Sequence, residues 1–386
     1  MARRQSYCGL VVICLVEVCL PWRHWHPLSF VQAMSWGHWA AKGELSKMSG
    51  ESGQQRSAFS RKSKADGEFS FAKAEARRLM SGITKAQSAK KLIKMLDGAI
   101  EGEILNFIHA AAAYIQLAAF KKEGRLQSSD WDSRVLMKLH ARVKDMVLQD
   151  QLPARETANI LWSMAELCDQ FRVPTQLLAA LVESVPKKVG GMVPQALANC
   201  LWACLQLENE GHEVSQIVPA IDLEIPGRIK DMNPRDLCNT LDARILLQES
   251  DPGLADNFAS YLSDSGKEDG IVWSAAARLN TLLPRLTGND LIIAVPAVIW
   301  ASAKVGVQHD ELLASAALRL GSRSALSRLK DFGLCALSWA YEVLDVEEEF
   351  ADFRTLLKSE IQRRRLSESD VESSRLGHLK WNHANI

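Results

Sequence analysis

Three stretches decide the reading: TANILWSMAEL (Thr157–Leu167), LANCLWACLQL (Leu197–Leu207) and LCNTLDARILL (Leu237–Leu247). They align without gaps, so Asn159, Asn199 and Asn239 fall 40 residues apart, as do Leu161, Leu201 and Leu241. VPAVIWASAKV (Val295–Val305) and LCALSWAYEVL (Leu334–Leu344) are further copies, with Trp300 and Trp339 separated by 39 residues. A second landmark runs in phase. Pro186, Pro226 and Pro284 each stand 16 residues before the Trp slot of their unit, at Trp202, Asp242 and Trp300. Two landmarks at one period identify an internal repeat, the mark of a stacked architecture.

Counted from the Trp slot (Trp162, Trp202, Asp242, Trp300, Trp339), apolar residues dominate at −5, −2, −1, +2 or +3, and +5. At 100° per residue these gather on one broad helical face. Small residues hold −4 (Ala158, Ala198, Cys238, Pro296, Cys335) and +1 (Ser163, Ala203, Ala243, Ala301, Ala340), which lets neighbouring helices approach closely. A second helix precedes each Pro, pairing Leu181 with Val185 and Ile221 with Ile225 at i,i+4. Each unit is therefore a helical pair. The predicted fold is all-α, an α-solenoid of helical pairs about 40 residues long over residues 81–350. LNFIHAAAAYIQLAAF stands in for the Trp-bearing helix of a degenerate first unit, with DSRVLMKLHARVKDMV as its partner. The spacing fails once, from Asp242 to Trp300, and the excess falls in an acidic, Gly- and Ser-rich stretch near residues 248–270 that reads as a loop insertion. Residues 351–386 are highly charged and read as a capping helix and a tail.

The first residues follow different rules. Arg3 and Arg4 precede an apolar run, Tyr7–Leu20, ended by Pro21, so residues 1–21 read as a hydrophobic signal-like segment too short for a comfortable span. Residues 22–80 are rich in Ser, Lys, Arg and Gly, and are expected to be a largely disordered transit segment or linker. A hydrophobic and then basic leader resembles the bipartite presequences of proteins entering complex plastids, with a mitochondrial presequence as the alternative. The mature protein is expected not to span a membrane.

Composition narrows the chemistry. Lys plus Arg and Asp plus Glu both number 46, so any nucleic-acid site must be a local patch rather than a basic coat. Eight cysteines include no CxxC, and no Cys/His cluster has zinc spacing, so neither a metal nor a disulfide framework is indicated. The chain carries no GxxxxGK[ST], GxGxxG after a strand, HExxH or GxSxG. No catalytic residue, cofactor or small-molecule substrate is expected.

The unit resembles the octotricopeptide repeat, a helical-pair family of organellar RNA-binding proteins. MVPQALANCLWA (Met192–Ala203) matches that family's pattern best and MNPRDLCNTLDA (Met232–Ala243) next. The array is also similar to the helical repeats of FAST-kinase-like mitochondrial proteins and of RNA-editing substrate-binding complex subunits. The likeness covers roughly residues 81–350. It departs from the family where Asp242 replaces a Trp and where the Pro-Pro-Glu-Trp opening is missing, and no RAP-type nuclease-like domain is recognised. The resemblance implies single-stranded organellar RNA as ligand, other RNA-processing proteins as companions, and a role in RNA processing, stability, editing or translation.

Two residue sets are candidates for RNA contact. Asn159, Asn199 and Asn239 at −3, with Gln206 at +4 and Lys304, lie on the face of the Trp helices opposite the core, where amides suit base edges. An Asn ladder tying neighbouring helices together is the alternative. Lys187, Lys188, Arg228, Lys230 and Arg285 follow the Pro landmarks, with Arg328 near the next unit, and form a candidate phosphate stripe. A solvated basic rim is its alternative. The competing function is a protein-binding scaffold of armadillo or HEAT type, supported by the zero net charge and the acidic insertion.

Overall fold

The computed structural model describes residues 74–250, 270–344, 346 and 348–367. The chain divides into two units, Met1–Ser60 and Arg61–Ile386, and every described residue belongs to the second. All regular structure among the described residues is helical. The signal-like segment, most of the linker, the bulk of the loop insertion and the charged tail lie outside the described residues.

The helices are α1 (74–84), α2 (Ala89–Glu101), α3 (Phe107–Lys122), α4 (Arg134–Leu148), α5 (Ala154–Leu167), α6 (Thr175–Ser184), α7 (Pro194–Asn209) and α8 (Val218–Arg228). They continue as α9 (Pro234–Ser250), α10 (Ile271–Leu282), α11 (Gly288–Lys304), α12 (Asp310–Leu320), α13 (Asp331–Val343) and α14 (Ala351–Arg364). Single turns occur at Ser128–Trp131 and Arg323–Leu326. From α3 onward, the odd-numbered helices carry the Trp slot or its equivalent. They pack in succession, α3 on α5, α5 on α7, α7 on α9, α9 on α11 and α11 on α13. Even-numbered helices form a second succession, in which α2 packs on α4, α4 on α6, α8 on α10 and α10 on α12.

The small residues explain the close packing of the odd row. Ala158, Ala198, Cys238 and Cys335 at −4, and Ser163, Ala203, Ala243, Ala301 and Ala340 at +1, are all buried. The approach is close between α11 and α13, where a Cβ added to Gly333 would stand 3.3 Å from Pro296 Cγ. The Pro landmarks end the even helices. Pro186 and Pro284 sit in the 3-10 turns Val185–Lys187 and Leu283–Arg285, and Pro226 lies just before α8 closes into the turn Ile229–Asp231. Proline lacks an N–H and clashes with the preceding turn, so the chain tightens and swings into the next odd helix.

One expectation changes. The linker was expected to reach residue 80, but α1 covers residues 74–84, with Ile83 fully buried and Leu79 packed on the core. Leu79 and Ile83 form an i,i+4 apolar pair in an Ala- and Arg-containing segment, enough to seat a helix once α3 offers a surface. His109 of α3 fastens it, its Nε2 lying 2.9 Å from the Ala76 carbonyl. In the Trp slot, Trp202 and Trp300 are buried and Trp162 is half-buried. Trp162 and Trp202 lie with ring centroids 6.0 Å apart, so these rings cement neighbouring odd helices. Asp242 fills the same slot and is buried beside a packed ion pair, Arg244 Nε to Asp222 Oδ2 at 2.8 Å. Among the described residues no helix is long and apolar enough to cross a membrane.

Candidate nucleic-acid interface

The odd helices of the three best-matched units share one pattern of exposure. At the second position of α5, α7 and α9 stand Arg155, Gln195 and Arg235, all exposed. At the sixth stand Asn159, Asn199 and Asn239, all half-buried. The seven positions between and just after these are mostly buried in each helix, because neighbours in the odd row cover both flanks and the even row covers the back. What stays open is a narrow edge made by the first turns. Within it, positions two and six are i,i+4 neighbours and lie on one face.

The three Asn side chains make no hydrogen bond to one another or to other side chains among the described residues. The structure therefore contains no Asn ladder. It also shortens the stripe expected through −3 and +4. Glu166 is buried and paired with Lys122 Nζ at 3.1 Å, and Leu246 is buried. Burial pushes the Glu166 carboxyl upward, with Lys122 opposing. Gln206 is half-buried, and its Nε2 is enclosed without a hydrogen-bond partner. The C-terminal halves of the odd helices are closed by ion pairs across the row: Lys121 with Asp169 at 2.9 Å and Lys304 with Glu249 at 2.5 Å. Lys304 also lies 5.5 Å from the centroid of the Trp300 ring. It is a tie between α9 and α11 and not part of the open edge.

The candidate phosphate stripe divides in two. Lys188 donates to the Leu152 carbonyl and pairs with Asp150 at 3.0 Å, its side chain only 10% exposed. Arg228 donates to the Gly190 carbonyl at 2.9 Å. These belong to a series that sequence reasoning missed. Arg278 donates to the Met232 carbonyl at 3.3 Å, Arg319 to Leu286 at 2.6 Å and Arg364 to Leu329 at 2.8 Å. At five successive junctions, a cation from the later unit grips a main-chain carbonyl in the turn that leads into the odd helix of the earlier one. A carbonyl at a crowded turn needs a partner, and a charged donor supplies a strong one. Lys188 and Arg228 both stand two residues after a Pro landmark, but Arg278, Arg319 and Arg364 sit at other positions in their units, so no single spacing betrays the whole series.

The other members remain at the surface. Lys187 is exposed and meets only Glu183 at 3.1 Å, an i,i+4 pair of small worth. Lys230 and Arg285 are exposed, with no ion pair or side-chain hydrogen bond among the described residues. A cleft of about 550 Å3 opens beside Lys187, lined also by Leu148, Gln151, Pro153 and Ala180. The exposed cations Lys187, Lys230 and Arg285 lie in the turns before α7, α9 and α11, and the first two of these helices carry Asn199 and Asn239.

No protein-family model matches the chain, and no curated protein matches it significantly.

Proposed function

We propose that the protein is an α-solenoid of octotricopeptide-like helical pairs that binds single-stranded organellar RNA without catalysing a reaction. A plastid is the favoured compartment and a mitochondrion the alternative. In this reading the protein guides RNA processing, stability, editing or translation by holding a particular stretch of RNA. One observation carries it: Asn159, Asn199 and Asn239 recur at one place on three helices packed in succession, half-buried and without side-chain partners among the described residues. An amide side chain so placed, once per unit, is the arrangement by which helical repeats read splayed bases. The Asn199→Ala variant tests it. RNA affinity or base preference is expected to change by roughly 1–3 kcal/mol, while the melting temperature stays put. Lowered stability with RNA binding unaltered would remove the assignment.

A protein-binding scaffold is the second reading. It is favoured by the carboxylates that face several of the cations: Glu183 at Lys187, Asp150 at Lys188 and Glu249 at Lys304. Failure of the full chain to retain any single-stranded RNA at low salt would select it.

A further inference from the structure

We infer that each of three units reads one base through a pair of side chains, and that the preferred core is the triplet G-A-G. This rests on the RNA-binding reading above and specifies its ligand. The pairs are Arg155 with Asn159, Gln195 with Asn199, and Arg235 with Asn239. In each, the first residue is exposed and the second half-buried, four residues apart on one helical face. None of the six makes a side-chain hydrogen bond or ion pair within the protein among the described residues. That sets Arg155 and Arg235 apart from Arg228, Arg278, Arg319 and Arg364, whose guanidinium groups are engaged with carbonyls.

The run of polar pairs has clear ends. Counted seven and three residues before the Trp slot, α11 carries Ile293 and Ala297 and α13 carries Phe332 and Ala336, and the second and sixth positions of α3 are Ile108 and Ala112. These residues offer no donor or acceptor to a base edge, so the readable length is three nucleotides. Chemistry then assigns the order. Asn is common to all three pairs, and the variable member discriminates. A guanidinium matches the O6 and N7 acceptors of guanine, whereas the Gln amide donates to N7 and accepts from N6 of adenine. The first and third units share Arg and the middle one has Gln, so the sequence read is the same whichever way the strand runs.

The test is fluorescence anisotropy with the full chain and labelled oligouridylates carrying GAG, GGG, GUG or no purine at the centre. The native protein is expected to bind the GAG strand about tenfold tighter than the GUG strand, within the range for one good base contact. Gln195→Arg is expected to move the preference from GAG to GGG. Arg235→Gln is expected to favour one of GAA and AAG, and which one gives the polarity of the strand. Both changes fall on exposed positions, and a melting curve for each variant shows that the fold is kept. Equal affinity for all four strands, or an order unmoved by Gln195→Arg, overturns the triplet while leaving RNA binding in place. No affinity for any strand overturns the RNA-binding reading and the triplet with it.

Discussion

Tyr114 Oη and His140 Nδ1 share a hydrogen bond of 2.5 Å beneath the Trp131 ring, whose centroid is 4.9 Å from that of the imidazole. Burial holds both groups neutral: it raises the Tyr114 hydroxyl and pushes His140 down to about 4. An unfolded histidine titrates near 6.5. Between these values the unfolded chain binds the extra proton, so stability is full above about pH 6.5 and falls as pH drops toward 4. Melting temperature measured at pH 7.5, 5.5 and 4.5 is expected to decline, and to decline less for His140→Gln. An equal slope in the two proteins would assign the acid sensitivity elsewhere. At the opposite end, hydrogen bonds from Arg363 and then Arg364 hold Glu360 at about 2, so that ion-pair cluster survives well below the range in which His140 protonates.

At the level of the element, an odd helix has two jobs that divide along its length. Its small −4 and +1 residues and its Trp belong to packing, while a narrow edge of its first turn and a half, at positions two and six, stays open. The loop that feeds it is held by a cation from the next unit, which couples neighbouring units through the main chain as well as through side-chain packing. Arg364 shows the arrangement most fully, donating to the carbonyls of Leu329 and Leu326 and pairing with Asp331 at 2.7 Å. Its side chain is 14% exposed, so the carbonyls left behind would be poorly solvated. Arg364→Met is therefore expected to cost about 2–3 kcal/mol in a denaturant titration. RNA affinity should be unchanged, because the site lies at the far end from α5, α7 and α9. A variant as stable as the native protein would show that these grips contribute nothing.

For the whole chain, 46 cationic and 46 acidic side chains cancel, and affinity for a polyanion must come from the few cations left without partners. Lys230 and Arg285 are the clearest of these. If they meet phosphates, Lys230→Ala with Arg285→Ala should flatten the slope of log affinity against log salt by about 1.4, at 0.7 per single-strand contact. Base preference should not move. Lys188→Ala should do the reverse, lowering the melting temperature and leaving the slope alone. A slope unaffected by the double variant would place the phosphate path elsewhere.

The helical character and the sequence period were legible from the chain alone. A Trp slot with small residues at −4 and +1 can be satisfied only by another helix at close range, and Pro at a constant distance upstream can only end the helix before it. Both constraints are local in sequence and recur, so they survive without knowledge of the fold. The Asn positions were legible for the same reason. What the cations do was not. Lys188 and Lys230 look alike in sequence, yet one is enclosed against Leu152 and Asp150 and the other is open to solvent. Arg155, Gln195 and Arg235 keep the same 40-residue period, but a slot that mixes Arg with Gln has no constant residue type to mark it. Whether a side chain faces solvent or a carbonyl some 33 to 46 residues away is set by how one unit lies on the next. That geometry exists only once the units are packed, and it decided which charges remain free to meet a ligand.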